Sequence, residues 1–348
     1  MKITRKTIAE KAGVSVSTVG MILSGQGERY SKTTQAKVLK CADDLGYRVD
    51  INARAMKLNR SLLIGVLLNE VNSHFSASFL QGLQSVLKDT DYSPLVFFSG
   101  HPDDENLSLE RCLDRQVDAM VVNCTAVPGR TARSRFAEKL KQSKIPVVEI
   151  FGNILPDITN VDHDNRIGGR DATEYLIAQG HRNIGLLTHK HYDDQLLHHD
   201  AWQHFLGYED AMRAHGLDSM VLAQELSESL EMDPAFLEAG KGALDLVLEH
   251  PNRPSALVCY NDLLAYGVIH ACRKKKMVVP EEISIIGQGD LALSGIINPA
   301  LTSVSPHYYE IGLTAGRTLL AKLDGEDVAS QTVKPILAHR ESTCPPSA

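Results

Sequence analysis

Along the first part of the chain, apolar residues recur at helical spacing in three short runs. Ile8, Ala9 and Ala12 share one face, Val19, Ile22 and Leu23 stand at i, i+3 and i+4, and Val38, Leu39, Ala42 and Leu45 form a third stripe. A residue able to cap a helix precedes each run (Thr4, Ser15 and Ser31), and glycines close them at Gly13, Gly25 and Gly46. The pattern predicts three helices. On the second, Val16, Ser17, Thr18, Gly20, Met21 and Ser24 face outward. Two short helices about a glycine turn, braced by a third, form the helix-turn-helix layout, which presents its second helix to the DNA major groove. Any small helical bundle would show the same periodicity.

From residue 62 the period changes. Apolar runs of strand length appear at Leu62–Leu68, Leu95–Phe98, Ala119–Val122, Val147–Ile150, Ile184–Thr188, Ala256–Cys259, Ile283–Gly287 and Val333–Ala338. Helical stretches fall between them, for example around 76–89, 167–179, 235–249 and 262–275. Such alternation predicts parallel sheets covered on both faces. The stretch is too long for one sheet domain, so two lobes are expected, with any ligand in the cleft beyond the strands' carboxyl ends. The expected fold class is an all-α helix-turn-helix headpiece (1–48), a hinge or linker (49–60) and an α/β two-lobed domain with parallel sheets (61–348).

Charge sharpens this division. Residues 1–60 carry twelve lysines and arginines against five acids, a net of +7, while the remainder carries 24 against 38, a net of −14. A basic head on an acidic body suits a module that meets a polyanion joined to one that does not. No run of eighteen apolar residues exists, so no membrane partner is expected. The basic start leads into Thr7-Ile8-Ala9-Glu10 rather than an apolar signal core, which points to a cytoplasmic protein. The six cysteines form no CxxC pair and read as free thiols, so neither a zinc site nor a cofactor is expected.

The segment Thr7-Ile8-Ala9-Glu10-Lys11-Ala12-Gly13-Val14-Ser15-Val16-Ser17-Thr18-Val19 resembles the opening signature of the lactose/galactose repressor family of bacterial transcriptional regulators. The resemblance implies that Val16, Ser17 and Met21 read bases. It places Thr4, Thr18, Ser31, Thr34 and Tyr47 against the phosphate backbone, with Lys6, Gly20, Ser24 and Arg29 in the same interface. The family usually continues Val-Ser-Arg, where this chain has Val19-Gly20-Met21, and an extra residue sits in Gly27-Glu28-Arg29-Tyr30. Methionine cannot donate to guanine, so Met21 is expected to make an apolar contact with a thymine methyl. Residues 51–60 resemble the family's hinge, in which a short helix pairs with its dimer mate in the minor groove. There Ala53, Arg54 and Lys57 would meet DNA, and Met56 would take the place of a wedging leucine. Asp50 and Val49 replace a common asparagine and proline, and an exposed linker is the plainer reading of the segment.

The resemblance continues through Asp164-Asn165-Arg166-Ile167-Gly168-Gly169, Gly207-Tyr208, Tyr260-Asn261-Asp262 and Pro299-Ala300-Leu301-Thr302. It implies a fold similar to periplasmic sugar-binding proteins, with crossings between lobes near residues 160, 290 and 325. The N-lobe would comprise about 61–160 and 291–324, and the C-lobe about 161–290 and 325–348. Effector contacts are expected from His74, Phe75, Asp164, Trp202, His204, Asn261, Gln288 and Asp290. His204 stands where most members carry a gripping arginine, and Gln288-Gly289-Asp290 replaces a more acidic run. The implied partners are a double-stranded DNA operator, a sugar-like small-molecule effector and a second copy of the chain. A homodimer is favoured over a tetramer because no leucine heptad follows Thr343. The implied function is that of a transcriptional regulator, a repressor on a pseudo-palindromic operator.

Two rival classes remain at this level. A sugar-binding protein without specific DNA binding would share the body, and Gly287-Gln288-Gly289-Asp290-Leu291-Ala292 matches a dinucleotide fingerprint. No GxSxG, HExxH or P-loop motif supports catalysis. His189, His191, His198, His199 and His204 crowd a stretch with Asp193, Asp194 and Asp200, but at no established metal spacing. That stretch suits a pH-sensitive cleft or an anionic ligand.

Overall fold

The computed structural model of the chain describes residues 3–47, 55, 58–69, 74–98, 102–123, 129–152, 155, 157–193, 199–226 and 232–347. For His74, 102–105, 129–133 and 232–233 it describes the main chain alone. The hinge positions Ala53, Arg54, Met56 and Lys57, the His74 side chain, Asp194 and His198 thus lie outside the described residues. The chain separates into two compact units, Met1–Ser61 and Leu62–Ala348.

The first unit holds α1 (Arg5–Ala12), α2 (Val16–Leu23) and α3 (Lys32–Asp44). Each begins where a hydroxyl satisfies an orphan backbone donor: Thr7 N–H donates to Thr4 Oγ1, Thr18 N–H to Ser15 Oγ, and Thr34 N–H to Ser31 Oγ. Gly13 ends α1 in the left-handed region, at φ 66°, which lets the chain turn sharply into α2. Ile8, Ala9, Ala12, Val19, Ile22, Val38 and Ala42 form the buried core, with Leu23, Leu45, Tyr30 and Tyr47 packed against it. Leu39 departs from expectation, being 51% exposed. One residue on from Val38 it lies about 100° round the helix, off the Val38–Ala42–Leu45 stripe.

The Gly27–Tyr30 loop is pinned from α3, where Gln35 Nε2 donates to Gly27 O (3.0 Å) and Tyr30 O (2.9 Å). Replacing Gln35 with alanine should cost about 1–2 kcal/mol of headpiece stability, since two carbonyls lose their donor. Hydrogen exchange of the α3 amides in the full chain would register the loss, and unchanged protection would refute it.

The second unit contains two six-stranded sheets. One is built from β1 (Leu63–Leu68), β2 (Ser93–Phe98), β3 (Ala119–Val122), β4 (Val147–Ile150), β5 (Thr159–His163) and β11 (Gln331–Val333). Its order is β11-β5-β4-β3-β1-β2, parallel throughout. The other uses β6 (Ile184–His189), β7 (Met220–Gln224), β8 (Ala256–Cys259), β9 (Ser284–Gln288), β10 (Thr302–Ser305) and β12 (Ile336–Ala338). Its order is β12-β10-β9-β8-β6-β7, parallel except for β12 against β10. The helices are α4 (His74–Leu87), α5 (Pro102–Asp114), α6 (Gly129–Ser143), α7 (Asn165–Ala178), α8 (His199–Ala214), α9 (Met232–Glu249), α10 (Asp262–Lys274) and α11 (Tyr308–Leu323). Strands β3, β4 and β8 are buried at every position, as covered parallel strands must be.

The lobe boundaries differ from those expected. Strand β10 belongs to the C-lobe sheet, so the second crossing lies at 306–307 rather than near 290, and the first follows His163. The run expected as a single strand, Val333–Ala338, is split between β11 in one sheet and β12 in the other. Pro335, which has no N–H to give a ladder, stands at that break and marks the third crossing.

Three helix pairs cross at reciprocal glycines: α4 and α11 at Gly82 and Gly312, α7 and α8 at Gly169 and Gly207, α9 and α10 at Gly240 and Gly267. At each of these six positions a Cβ would lie between 2.0 and 2.4 Å from a backbone oxygen of the partner helix. Backbones in that proximity leave no room for any side chain.

Candidate functional site

In the headpiece the amino-terminal end of α2 is solvent-facing. Val16 is 48% exposed despite being apolar, Ser17 and Ser24 are exposed, and Thr18, Gly20 and Met21 are half-buried. Thr4, Lys6, Arg29 and Ser31 are exposed, whereas Thr34 and Tyr47 are half-buried. Of the expected phosphate-contacting hydroxyls, Thr4 and Ser31 cap helices, and Thr18 and Thr34 bond the capping Ser15 and Ser31. Each capped start also aims free backbone N–H groups outward, which suits a phosphate. Arg29 lies over the Tyr30 ring, 5.3 Å from its centroid.

The second candidate site is the rim where strands of both sheets end. Strand β5 ends in Asp162 and His163, and Asp164 and Asn165 open α7. Asp200 and His204 lie one turn apart in α8, Tyr260 and Asn261 follow β8, and Gln288 ends β9. These side chains make a connected group. His163 Nε2 lies 2.9 Å from Asn165 Oδ1, Gln288 Nε2 donates to the same oxygen at 2.5 Å, and His163 Nδ1 lies 3.1 Å from Asp162 Oδ1. The rings of His204 and Tyr260 stand 6.0 Å apart. On the N-lobe side Phe75 packs on Phe151 (4.9 Å) and Tyr308 (6.0 Å), and His163 adjoins the same rings.

Several polar atoms here are shielded from solvent yet have no hydrogen-bond partner among the described residues: both ring nitrogens of His204, Gln288 Oε1, Asp200 Oδ1 and Thr188 Oγ1. Buried polar atoms are normally satisfied, so such a concentration makes this group a candidate seat for a ligand or ordered water. Burial lowers the His204 pKa to about 4, with His163 adding to the effect, so its ring is neutral at pH 7. Burial and then the Asp162 charge raise Asp200 to about 7, partly offset by His163. Burial alone would lower His163, but Asp162 with Asp200 outweighs it and the net shift is upward. No lysine or arginine is among the described side chains of this group.

The expected effector residues are not all free to serve. Asp164 Oδ1 caps α7 by accepting from Ile167 N–H (2.9 Å), and Asn261 Oδ1 caps α10 by accepting from Leu264 N–H (2.9 Å). Asp290 is taken by Arg340 (2.5 Å). Trp202, half-buried, packs on Phe205 at 5.4 Å against the core of its lobe. Asp162, His163, Asn165, Tyr260 and Tyr308 are not among the residues expected from the sequence to contact an effector, and Asp200 enters there only as part of the histidine-rich stretch. Strand β5 reads Thr-Asn-Val-Asp-His, too polar to register as a strand, although a following helix cap at Asp164 was a usable signal.

The profile for bacterial regulatory proteins of the lacI family matches residues 4–50, and that for the periplasmic binding protein-like domain matches residues 173–343. Catabolite control protein A of Priestia megaterium is 29% identical over 348 residues, covering 98% of both chains. The ribose operon repressor of Escherichia coli is 29% identical over 347 residues, covering 97% of this chain and 99% of the repressor. This chain belongs to the lacI family of bacterial regulatory proteins. The lac repressor dimer bound to operator and the anti-inducer ONPF shares the fold, with a TM-score of 0.79 at 21% identity over 99% of this chain and 100% of that one. As a lacI-family member the protein is a DNA-binding transcriptional regulator rather than an enzyme.

Family membership removes the dinucleotide reading of Gly287–Ala292, and local geometry gives those glycines another reason. A Cβ at Gly287 would lie 2.2 Å from Asp262 Oδ1. Asp262 is fully buried and accepts from Ser303 Oγ (2.6 Å), Ser294 Oγ (2.6 Å) and Leu291 N–H (2.8 Å), so it fastens the loop after β9. A 3-10 turn, Ala292–Gly295, follows that strand where a nucleotide-binding helix would be needed. Among the described residues no group of three histidines, cysteines or acids is placed to hold a metal ion, and no helix is long and apolar enough to cross a membrane.

Proposed function

We propose that this lacI-family regulator is a repressor that binds a pseudo-palindromic operator as a homodimer and is controlled by an uncharged, hydroxyl-rich small molecule, sugar-like in kind, in the cleft between its lobes. The observation that carries the effector reading is the set of orphaned buried atoms on His204, Gln288, Asp200 and Thr188. These are mostly acceptors, so they suit a ligand whose hydroxyls donate and whose ring can lie against Phe75, Tyr260 or Tyr308. A neutral His204 and two nearby carboxylates disfavour the anionic ligand that a histidine-rich stretch first suggested. The ribose operon repressor among the relatives accords with this class.

DNA would be read by Val16, Ser17 and Met21, with Thr4, Thr18, Ser31, Thr34 and Tyr47 on phosphates. Dimerisation is supported by apolar side chains on the C-lobe surface, notably Leu293 at 44% and Ile296 at 76% exposure. Ligand closure would act by shifting a population of lobe arrangements that differ in hinge pairing. Selection of bound duplexes from a random library by the full-length protein tests the operator reading. Two related half-sites should be enriched, and a single unpaired half-site would refute the dimer. Met56→Ala should weaken specific binding about tenfold or more, a modest part of the few kcal/mol involved in unstacking a base step, without changing dimerisation. Equal operator affinity in that variant would remove Met56 from the wedge role.

A further inference from the structure

Helix α2 lacks any side chain that can offer a fork of hydrogen bonds to a base. Val16–Leu23 contains no charged or amide residue, and its polar groups are the hydroxyls of Ser17 and Thr18. A guanidinium does reach this helix, but from α1. Arg5 Nη1 lies 3.6 Å from where a Cβ on Gly20 would stand, an ordinary van der Waals distance, so the planar group rests on α2 beside its missing side chain. Gly20 follows Val16 and Ser17 by a helical turn and adjoins Met21, which places the Arg5 head on the flank of the reading face.

Arg5 is exposed, and its side chain has no ion pair or hydrogen bond among the described residues. Its position also runs against local stability. Arg5 and Lys6 open α1, whose first turn contains no acid, and cations at a helix amino terminus oppose the macrodipole. A local rule broken without a compensating intramolecular contact points to a role outside the fold.

We propose that Arg5 reads a guanine in each half-site, supplying from α1 the bidentate donor that α2 lacks. The fork matches guanine O6 and N7, a geometry neither Met21 nor the serine and threonine hydroxyls of α2 can reproduce. The proposal rests on the operator reading above. It makes Gly20 the residue beside which the guanidinium rests and Met21 the apolar neighbour to the contact.

The test repeats the duplex selection with full-length wild type, Arg5→Ala and Arg5→Lys, then measures competition between duplexes differing at single positions. Wild type should enrich a half-site with a strongly preferred guanine. Arg5→Ala should lower the preference at that position by about 5- to 150-fold, leaving the other positions unchanged. Arg5→Lys should keep the salt dependence of wild type but recover only part of the guanine preference. Uniform weakening across all sequences, with the salt slope reduced by about one, would make Arg5 a phosphate clamp and overturn the proposal. A full return of guanine preference in Arg5→Lys, or a wild-type motif without a preferred guanine, would overturn it as well. If wild type enriches no motif, the operator reading itself falls, and the guanine contact with it.

Discussion

Gly207→Ala should destabilise the two-lobed unit by about 3 kcal/mol or more, at the upper end of the range for overpacking a close-packed interior. A Cβ there would lie 2.0 Å from Arg166 O and 2.7 Å from Arg170 N, both backbone atoms of α7, so no rotamer change relieves the overlap. The helices must part, and with them move Asn165 at the start of α7 and His204 on α8. Thermal unfolding should therefore fall by roughly 6–12 °C, and ligand affinity should fall with it. Gly242→Ala in α9 is the control, because nothing lies within 4 Å of its would-be Cβ. There, alanine should stabilise by about 0.5–1 kcal/mol through helix propensity alone. Similar melting temperatures for the two variants would show that the α7–α8 crossing is looser than the structure has it.

Asp200→Asn should make the ligand-free protein more stable at pH 8 and a poorer ligand binder. The carboxyl titrates near 3.8 when unfolded and near 7 in the cleft, so the folded state holds its proton more tightly. Stability is accordingly lost as pH rises from about 4 to about 7, and asparagine, which does not ionise, escapes that loss. Melting curves at pH 5 and pH 8 should show the variant gaining several degrees on wild type between the two. Ligand binding runs the other way. If sugar hydroxyls donate to ionised Asp200, wild-type affinity should rise on the order of tenfold from pH 6 to pH 8, following the ionised fraction. The variant should bind weakly with no such slope. Calorimetry with any neutral sugar that raises the melting temperature measures both, and equal slopes in the two proteins would exclude Asp200 from the seat.

Much of the headpiece was legible in the sequence because its signals are local. Thr4, Ser15 and Ser31 cap within three residues of themselves, and Gly13 turns the chain where a left-handed residue is needed. Leu39 escaped because periodicity tolerates an error of one position in a short helix. The body's alternation of apolar strands and helices was also readable, yet β5, β7 and β10 were missed. Strand β5 carries four polar residues of its five, and those polar residues include the cleft pair Asp162 and His163. Placing β10 required knowing that it pairs with β9, a tertiary fact, and the second crossing was misplaced in consequence. The cleft was legible only in part. His204 and Gln288 stood out as departures from a resemblance, whereas Asp200 lay in a histidine-rich run whose metal-like look distracted from its burial. Asp164, Asn261 and Asp290 were assigned to a ligand, although a cap or Arg340 already occupies an oxygen of each.

The chain passes between the two sheets three times, after His163, at 306–307 and at Lys334-Pro335, the last linking β11 to β12 through two residues. Three short ties along one edge leave two rigid plates a single soft coordinate, as a spine does for the covers of a book: they can swing, but cannot slide past or draw away from each other. An occupant of the cleft is thereby registered as one angle. On the proposed effector reading, molecules of different shape that prop the covers at the same angle would be equivalent signals, and one that fits snugly without changing it would be silent.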